Sequence, residues 1–196
     1  MRCPIRKIII GEEATDGAGV RLTRVFGHHE TGDFDPFLML DAFDSDNPDE
    51  YVRGFPWHPH RGIETITYLI EGDIEHKDSL GNHGSIRDGD CQWMTAGSGI
   101  IHQEMPQPTK RLRGTQLWLN LPARNKMTRP KYHGIQQEDI PVVETEGSRV
   151  RIIAGKYGEV DGRFAGDFVR TTYLDVEVFA GCEWSFPVGP GATVFA

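Results

Sequence analysis

Four side chains at alternate positions in two short segments have the types and spacing needed to hold a metal ion. His58 and His60 lie two residues apart in the first segment, and His102 and Glu104 lie two residues apart in the second. On an extended backbone, residues two apart project from the same face, so each pair presents its donor atoms together. Neutral imidazole and carboxylate are ligands for several divalent metals. If the two segments meet inside a barrel, three nitrogens and one carboxylate converge.

The residues around the two segments support an extended backbone. Pro59 fixes its own φ and suits an edge strand or the start of a strand, and the Gly97-Ser98-Gly99 turn permits close approach to a neighbour. A single His-x-His pair is a weak indication, because such pairs are often surface or core histidines. The combination with a downstream His-x-Glu is what predicts a metal site. Neither segment contains a cysteine, which argues against a structural zinc.

The spacing leaves the identity of the carboxylate ligand open. Glu64 lies four residues beyond His60, at a position that an uninterrupted strand would place on the same face. From the residues alone, Glu64 and Glu104 are therefore alternative ligands.

The elements that position these residues are predicted to be strands. Short apolar or alternating stretches rich in β-branched and aromatic residues recur between turn residues, and none has a 3.6-residue period over three turns. This pattern predicts an all-β sandwich or barrel. The predicted strands are residues 6–10, 20–26, 37–43, 64–71, 74–77, 91–95, 100–105, 114–121, 150–154 and 171–179.

The chain is predicted to form two lobes. Residues 1–130 would form an N-terminal metal-binding domain, and residues 131–196 a linker with a partial second domain, because the stretch from 121 to 150 is polar and contains several prolines. The second lobe has too few predicted strands to close a barrel. Either it is truncated, or its strands pack onto the first lobe.

The composition of the chain indicates which binding partners and which cellular locations are expected. The formal net charge of −8 argues against direct binding of nucleic acid. Cys3, Cys91 and Cys182 are far apart and odd in number, which indicates reduced thiols, and no apolar run is long enough for a membrane span or signal peptide. A cytoplasmic location is expected, with the nucleus as an alternative in a eukaryote. The remaining histidines are predicted not to be ligands: His28, His29, His76, His83 and His133.

Both segments resemble the signature of the pirin family within the cupin superfamily. The first reads FPWHPHRGIET from Phe55 to Thr65, and the second reads QWMTAGSGIIHQEMP from Gln92 to Pro106. Further similar stretches are DPF at 35–37, QLWLNLP at 116–122 and TYLD at 172–175. The resemblance covers nearly the whole chain. It implies a double-stranded β-helix, or jelly-roll barrel, in a bicupin whose second lobe is incomplete here.

The resemblance also implies a ligand set and an activity. The metal ligands would be His58, His60, His102 and Glu104, with Glu64 left as a structural or supporting carboxylate. The cofactor would be a divalent metal, Fe(II) first, with Mn, Ni, Cu, Co or Zn as substitutes. The implied reaction is that of a quercetin 2,3-dioxygenase, in which O₂ opens a flavonol ring and carbon monoxide is released. Glu104 would take the proton of the flavonol 3-hydroxyl.

Other expectations follow from the same resemblance. Phe43, Phe55, Trp57 and Met94 are candidates for the wall of a pocket for a flat aromatic substrate, although each is also a candidate core residue. Pirins are commonly monomeric. The alternative function is a regulator that binds a protein partner, a transcription regulator or a metabolic enzyme, according to the oxidation state of its metal, with incidental quercetinase activity.

Overall fold

The structure, a computed structural model, describes residues 4–196 and confirms the all-β prediction. Apart from α1 (Thr31–Phe34) and the 3-10 turns Pro48–Glu50, Ala123–Asn125 and Gln137–Asp139, the regular elements in this range are strands. The strands are β1 (Glu12–Asp16), β2 (Val20–Phe26), β3 (Phe37–Ser45), β4 (Phe55–His60), β5 (Ile63–Glu71), β6 (Asp73–Asp78), β7 (His83–Arg87), β8 (Cys91–Thr95), β9 (Ile100–Pro106), β10 (Leu112–Asn120), β11 (Lys131–Ile135), β12 (Val142–Glu144), β13 (Ser148–Ala154), β14 (Lys156–Tyr157), β15 (Val160–Asp161) and β16 (Tyr173–Val178).

Two antiparallel sheets enclose the interior that concerns function. The larger has seven strands in the order β1-β2-β3-β10-β5-β8-β11, and the smaller has four in the order β4-β9-β6-β7. Their inner faces are in contact, since Thr67 of β5 and Gln116 of β10 hydrogen-bond Glu104 of β9. An apolar cluster that includes Phe43 and Leu69 fills one part of the space between the sheets.

The larger sheet is covered on both faces. Ile66, Tyr68 and Trp93 belong to a second apolar cluster on its outer face, together with Ile153 and Ala154 from beyond the first lobe. Burial on both faces explains why residues 64–69 are all buried instead of alternating between buried and exposed.

A smaller three-stranded sheet, in the order β12-β13-β16, packs against this outer face and is tied to it by hydrogen bonds. Tyr68 Oη donates to Asp175 Oδ2 at 2.8 Å, and the Thr115 hydroxyl bonds the Tyr173 hydroxyl. The predicted division at residue 130 stays a prediction. However, β11 lies directly after that point and pairs with β8 of the larger sheet. The incompleteness of the second lobe likewise stays a prediction.

Most predicted strands are present, with ends that shift by a few residues, but one is wrong. Residues 6–10 form no strand, and Ile8 and Ile10 in that stretch are largely exposed. The Ile-rich stretch has the propensity of a strand, but it has no ladder partner in the described chain. β4 was expected only as an extended segment. The strands that were not predicted are β1, β7, β11, β12, β14 and β15, which are short and carry charges, glycine or few apolar residues.

In the described part of the chain, no helix is long and apolar enough to cross a membrane.

Gly54 directly precedes β4, the strand that carries His58 and His60. Its φ is +59°, and a Cβ there would lie 2.6 Å from the backbone oxygen of Glu104 in the partner strand. Gly81 also has a positive φ, +89°, but a Cβ there would have nothing within 4 Å. A substitution at Gly81 therefore causes backbone strain alone, whereas the same substitution at Gly54 adds a steric clash.

We expect Gly54→Ala to destabilise the protein more than Gly81→Ala. The left-handed backbone costs each alanine about 1–2 kcal/mol, and at residue 54 the contact with β9 adds about 1–3 kcal/mol. Urea unfolding of both variants measures the difference in the free energy of unfolding. If both variants lose the same free energy of unfolding, the contact between residue 54 and β9 does not contribute to the destabilisation.

Candidate metal centre

The pairing of β4 with β9 brings the histidines of the two segments together. In this antiparallel register His58 lies opposite His102, and His60 lies opposite Ile100. Ligand nitrogens of His58, His60 and His102 all lie within 4.8 Å of one another, and the Nε2 atoms of His58 and His60 are 3.0 Å apart. Two nitrogens that bind one metal at about 2.1 Å and at a right angle lie about 3.0 Å apart. This spacing fits a divalent metal.

The hydrogen bonds of the rings also fit a metal. His58 Nδ1 lies 2.9 Å from the carbonyl oxygen of Pro56. As a donor in that bond, Nδ1 leaves the Nε2 lone pair free for a metal, which is the arrangement usual for metal-ligating histidines. His102 is 1% exposed, and neither of its ring nitrogens has a hydrogen-bond partner in residues 4–196. A metal on one of them would satisfy a buried polar atom that otherwise costs free energy.

The electrostatic environment keeps two of the imidazoles neutral. Burial, assisted by repulsion from neighbouring imidazoles, lowers the pKa of His60 and of His102 from 6.5 to about 3. At neutral pH both rings therefore present unprotonated nitrogens, which is the form that binds a metal.

Glu104 lies on the same strand as His102 but outside the group of mutually close donor atoms. Its buried carboxylate accepts hydrogen bonds from Thr67 Oγ1 at Oε1 and from Gln116 Nε2 at Oε2, both at 3.2 Å. Burial raises the pKa of Glu104, against the opposing effects of His58 and of these hydrogen bonds. Its roles as fourth ligand and as base stay predictions.

The alternative carboxylate, Glu64, lies elsewhere. The chain turns after His60 at Gly62, whose φ is +71°, and Glu64 enters the other sheet in β5. The expectation that Glu64 shares a strand face with His60 is therefore wrong. Glu64 Oε1 accepts a hydrogen bond of 2.7 Å from Thr95 Oγ1, on the face of the sheet opposite to that of Thr67.

Two further buried residues lie around the histidines and were not among the predicted site residues. His76 was predicted to be solvated, but it is buried, lies opposite Glu104 in the β6–β9 pairing and stacks on Tyr132 at 5.6 Å. Asp78, also buried, lies opposite His102. The alternation of Ile74, His76 and Asp78 along β6 was the available signal, because it places all three on one face.

The remaining histidines and cysteines are peripheral to this centre. His28, His29 and His83 are exposed, and His133 is half-buried beside Asp167. Cys91 is buried and Cys182 exposed, both as free thiols, while Cys3 lies outside the described residues.

Of the four candidates for a pocket wall, Phe55 and Trp57 belong to β4 itself, and Met94 packs against Ile100 of β9. It forms a small apolar cluster with Ala96 and Ile100, against which Tyr132 packs. Phe43 and Phe55 pack in the core at another part of the interior. Trp57 is 54% exposed.

Replacing a single ligand should remove metal from the protein. We expect His102→Gln to lower the bound metal from near one equivalent to near zero, because it removes one of the three clustered ring nitrogens. Elemental analysis after gel filtration measures the stoichiometry. His83→Gln, at an exposed histidine, is the matched control and should keep full occupancy. Full occupancy of the His102 variant would exclude this residue as a ligand.

The depressed pKa values of His60 and His102 predict that the metal-free protein is sensitive to acid. Between about 3 and 6.5 the unfolded chain binds more protons than the folded one, so stability is complete above pH 6.5 and is lost as the pH falls towards 3. Each histidine contributes about 1.4 kcal/mol per pH unit. Urea unfolding at several pH values in this range gives the free energy of unfolding as a function of pH. This free energy should fall less steeply with decreasing pH for His102→Gln than for wild type. Equal pH dependence would contradict the lowered pKa of His102.

Comparison with known proteins identifies the family. The family model described as Pirin matches residues 19–119. A Pseudomonas aeruginosa protein provisionally named quercetin 2,3-dioxygenase is 51% identical over 177 residues, which cover 87% of this chain and 62% of that protein. A pirin-like protein of Caulobacter vibrioides is 49% identical over 189 residues, 95% of this chain and 68% of that protein.

A solved structure gives the same result for the fold. The quercetin 2,3-dioxygenase from Acinetobacter baumannii superposes with a TM-score of 0.74 at 37% identity, over 84% of this chain and 60% of that one. This match confirms the cupin fold expected from the sequence. The chain spans about 60–68% of the length of the proteins with which it was compared. With the signature segments at its histidine cluster, the chain belongs to the pirin family of cupins.

Proposed function

We propose that this chain is a metal-dependent dioxygenase that opens the ring of flavonols such as quercetin with O₂ and releases carbon monoxide. The observation that carries the proposal is the buried cluster of His58, His60 and His102, whose nitrogens have the spacing of metal ligands. The names of the Pseudomonas and Acinetobacter relatives support this choice of reaction.

The three histidines would hold the metal, with Glu104 as the fourth ligand. Imidazole with one carboxylate suits Fe(II), which we take as the cofactor, while Mn, Ni, Cu, Co and Zn fit the same donors. When bound, the metal supplies Lewis acidity and a meeting point for substrate and O₂. The bond from His58 Nδ1 to Pro56 orients one of these rings in advance.

Glu104 would accept the proton of the flavonol 3-hydroxyl. A carboxylate whose pKa is raised by burial holds a proton at a higher pH than an exposed one, which suits a group that must accept and return it. Met94 and Ile100 are 1% and 3% exposed and pack in an apolar cluster beside the histidine-bearing strands. This apolar packing would keep water away from the proton acceptor.

Reconstitution tests the proposal directly. Metal-free protein is loaded with Fe(II) under anaerobic conditions, and then O₂ and quercetin are added. Flavonol absorbance should fall with release of carbon monoxide, faster than with free Fe(II) or with Fe(II) and His102→Gln. Glu104→Gln should lower kcat by about 10²–10⁴-fold if Glu104 is the base. Stoichiometric iron without turnover above the free-metal rate would refute the dioxygenase.

A second candidate function is regulation of a protein partner through the metal. Trp57 and Ile101 are 54% and 48% exposed and are direct chain neighbours of His58 and His102. A change at the metal would therefore be next to an exposed apolar surface. Pull-down with the Fe(II) and Fe(III) forms tests this function: a partner retained by one oxidation state, and lost with Trp57→Ser, supports it. Equal capture by both forms contradicts it.

A further inference from the structure

Glu104 is held by two residues of the opposite sheet. Thr67 and Gln116 are directly opposite each other in the β5–β10 pairing, on the inner face of the larger sheet. Gln116 Nε2 donates to Glu104 Oε2, and the single hydroxyl proton of Thr67 is shared between Glu104 Oε1, at 3.2 Å, and the nearer Gln116 Oε1. All three side chains are at least nine-tenths buried. We call this set the Glu104 clamp.

We infer that Thr67 and Gln116 are positioning residues that fix the carboxylate of Glu104 for metal binding and proton transfer. This inference rests on the proposed function, because it assigns a purpose to the clamp only if Glu104 serves the metal centre. Neither Thr67 nor Gln116 would touch the metal. They would act through Glu104.

The inventory of donors and acceptors supports this role. An ionised carboxylate has about two lone-pair directions on each oxygen. Thr67 occupies one on Oε1 and Gln116 one on Oε2, so both oxygens keep capacity for a metal or a substrate proton. The amide of Gln116 is itself oriented, since its oxygen bonds Thr67 and its nitrogen donates to Glu104. The clamp therefore restricts rotation of the carboxylate without consuming its ligand capacity.

The clamp offsets part of the free-energy cost of burying the carboxylate of Glu104. Burial of a carboxylate without partners would be costly, and a free side chain would also lose rotamer entropy when it binds a metal. Hydrogen bonds from the opposite sheet remove part of both costs before the metal arrives. Partners of metal ligands typically change metal affinity about 10–100-fold when they are removed.

The test measures Co(II) binding by calorimetry and by the visible absorption of the bound ion. Thr67→Val and Gln116→Met preserve side-chain volume and remove the hydrogen bonds. Each should weaken Co(II) binding about 10–100-fold and alter the absorption bands. Thr67→Ser keeps the hydroxyl and should bind within about twofold of wild type.

Thr65→Val is the matched control. Thr65 is as buried as Thr67, lies two residues earlier on the same face, and takes no part in the bonds to Glu104. It should also bind Co(II) within about twofold of wild type. A loss of affinity as large as that of Thr67→Val would attribute the effect to packing and overturn the inference.

A double-mutant cycle separates positioning from a general structural role. If Thr67 acts through Glu104, Thr67→Val should have almost no effect on Co(II) affinity in a Glu104→Ala background. An equal loss in both backgrounds, or wild-type affinity and absorption in Thr67→Val and Gln116→Met, overturns the inference while the metal centre stands. Failure of the wild-type protein to bind Co(II) would instead overturn the proposed function together with the clamp. If Thr67→Val does not fold, the same cycle with Gln116→Met tests whether the clamp acts through Glu104.

Discussion

The centre depends on one backbone pairing, the antiparallel register in which His58 of β4 lies opposite His102 of β9. Because side chains alternate along a strand, this register places His58, His60 and His102 on the inner face, with His58 level with His102 and His60 two residues further along β4. The hydrogen bond from His58 to the carbonyl of Pro56 then orients the ring of His58. Burial keeps the rings of His60 and His102 neutral. The backbone ladder, not any single side chain, defines the geometry of the histidine cluster.

The extended backbone of the two histidine-bearing segments could be predicted from the sequence because its signal is local. Spacing of two residues and a turn before His102 are visible in a short window, and the family signature surrounds both pairs. What could not be predicted depends on contacts remote in sequence. Glu64 lies in the other sheet because the chain turns at Gly62, and residues 6–10 stay irregular because no strand pairs with them.

Dependence on remote contacts also explains why the positions of His76, Thr67 and Gln116 could not be predicted. His76 lies in a segment of mixed charge, and only its partners β9 and Tyr132 reveal that this face of β6 is internal. Thr67 and Gln116 read as ordinary strand residues in sequence. Their importance comes from facing Glu104 across the interior, which is a property of how two sheets stack and not of either strand alone.

The two strands that hold Glu104 also contact the three-stranded sheet on their opposite face. Tyr68 follows Thr67 and bonds Asp175, while Thr115 precedes Gln116 and bonds Tyr173, so both contacts end on β16. Neighbouring residues of a strand face opposite sides, and each clamp residue is thus a single peptide unit from the contact with β16. The backbones of β5 and β10 therefore connect the packing of β16 to the orientation of the Glu104 carboxylate by two separate routes.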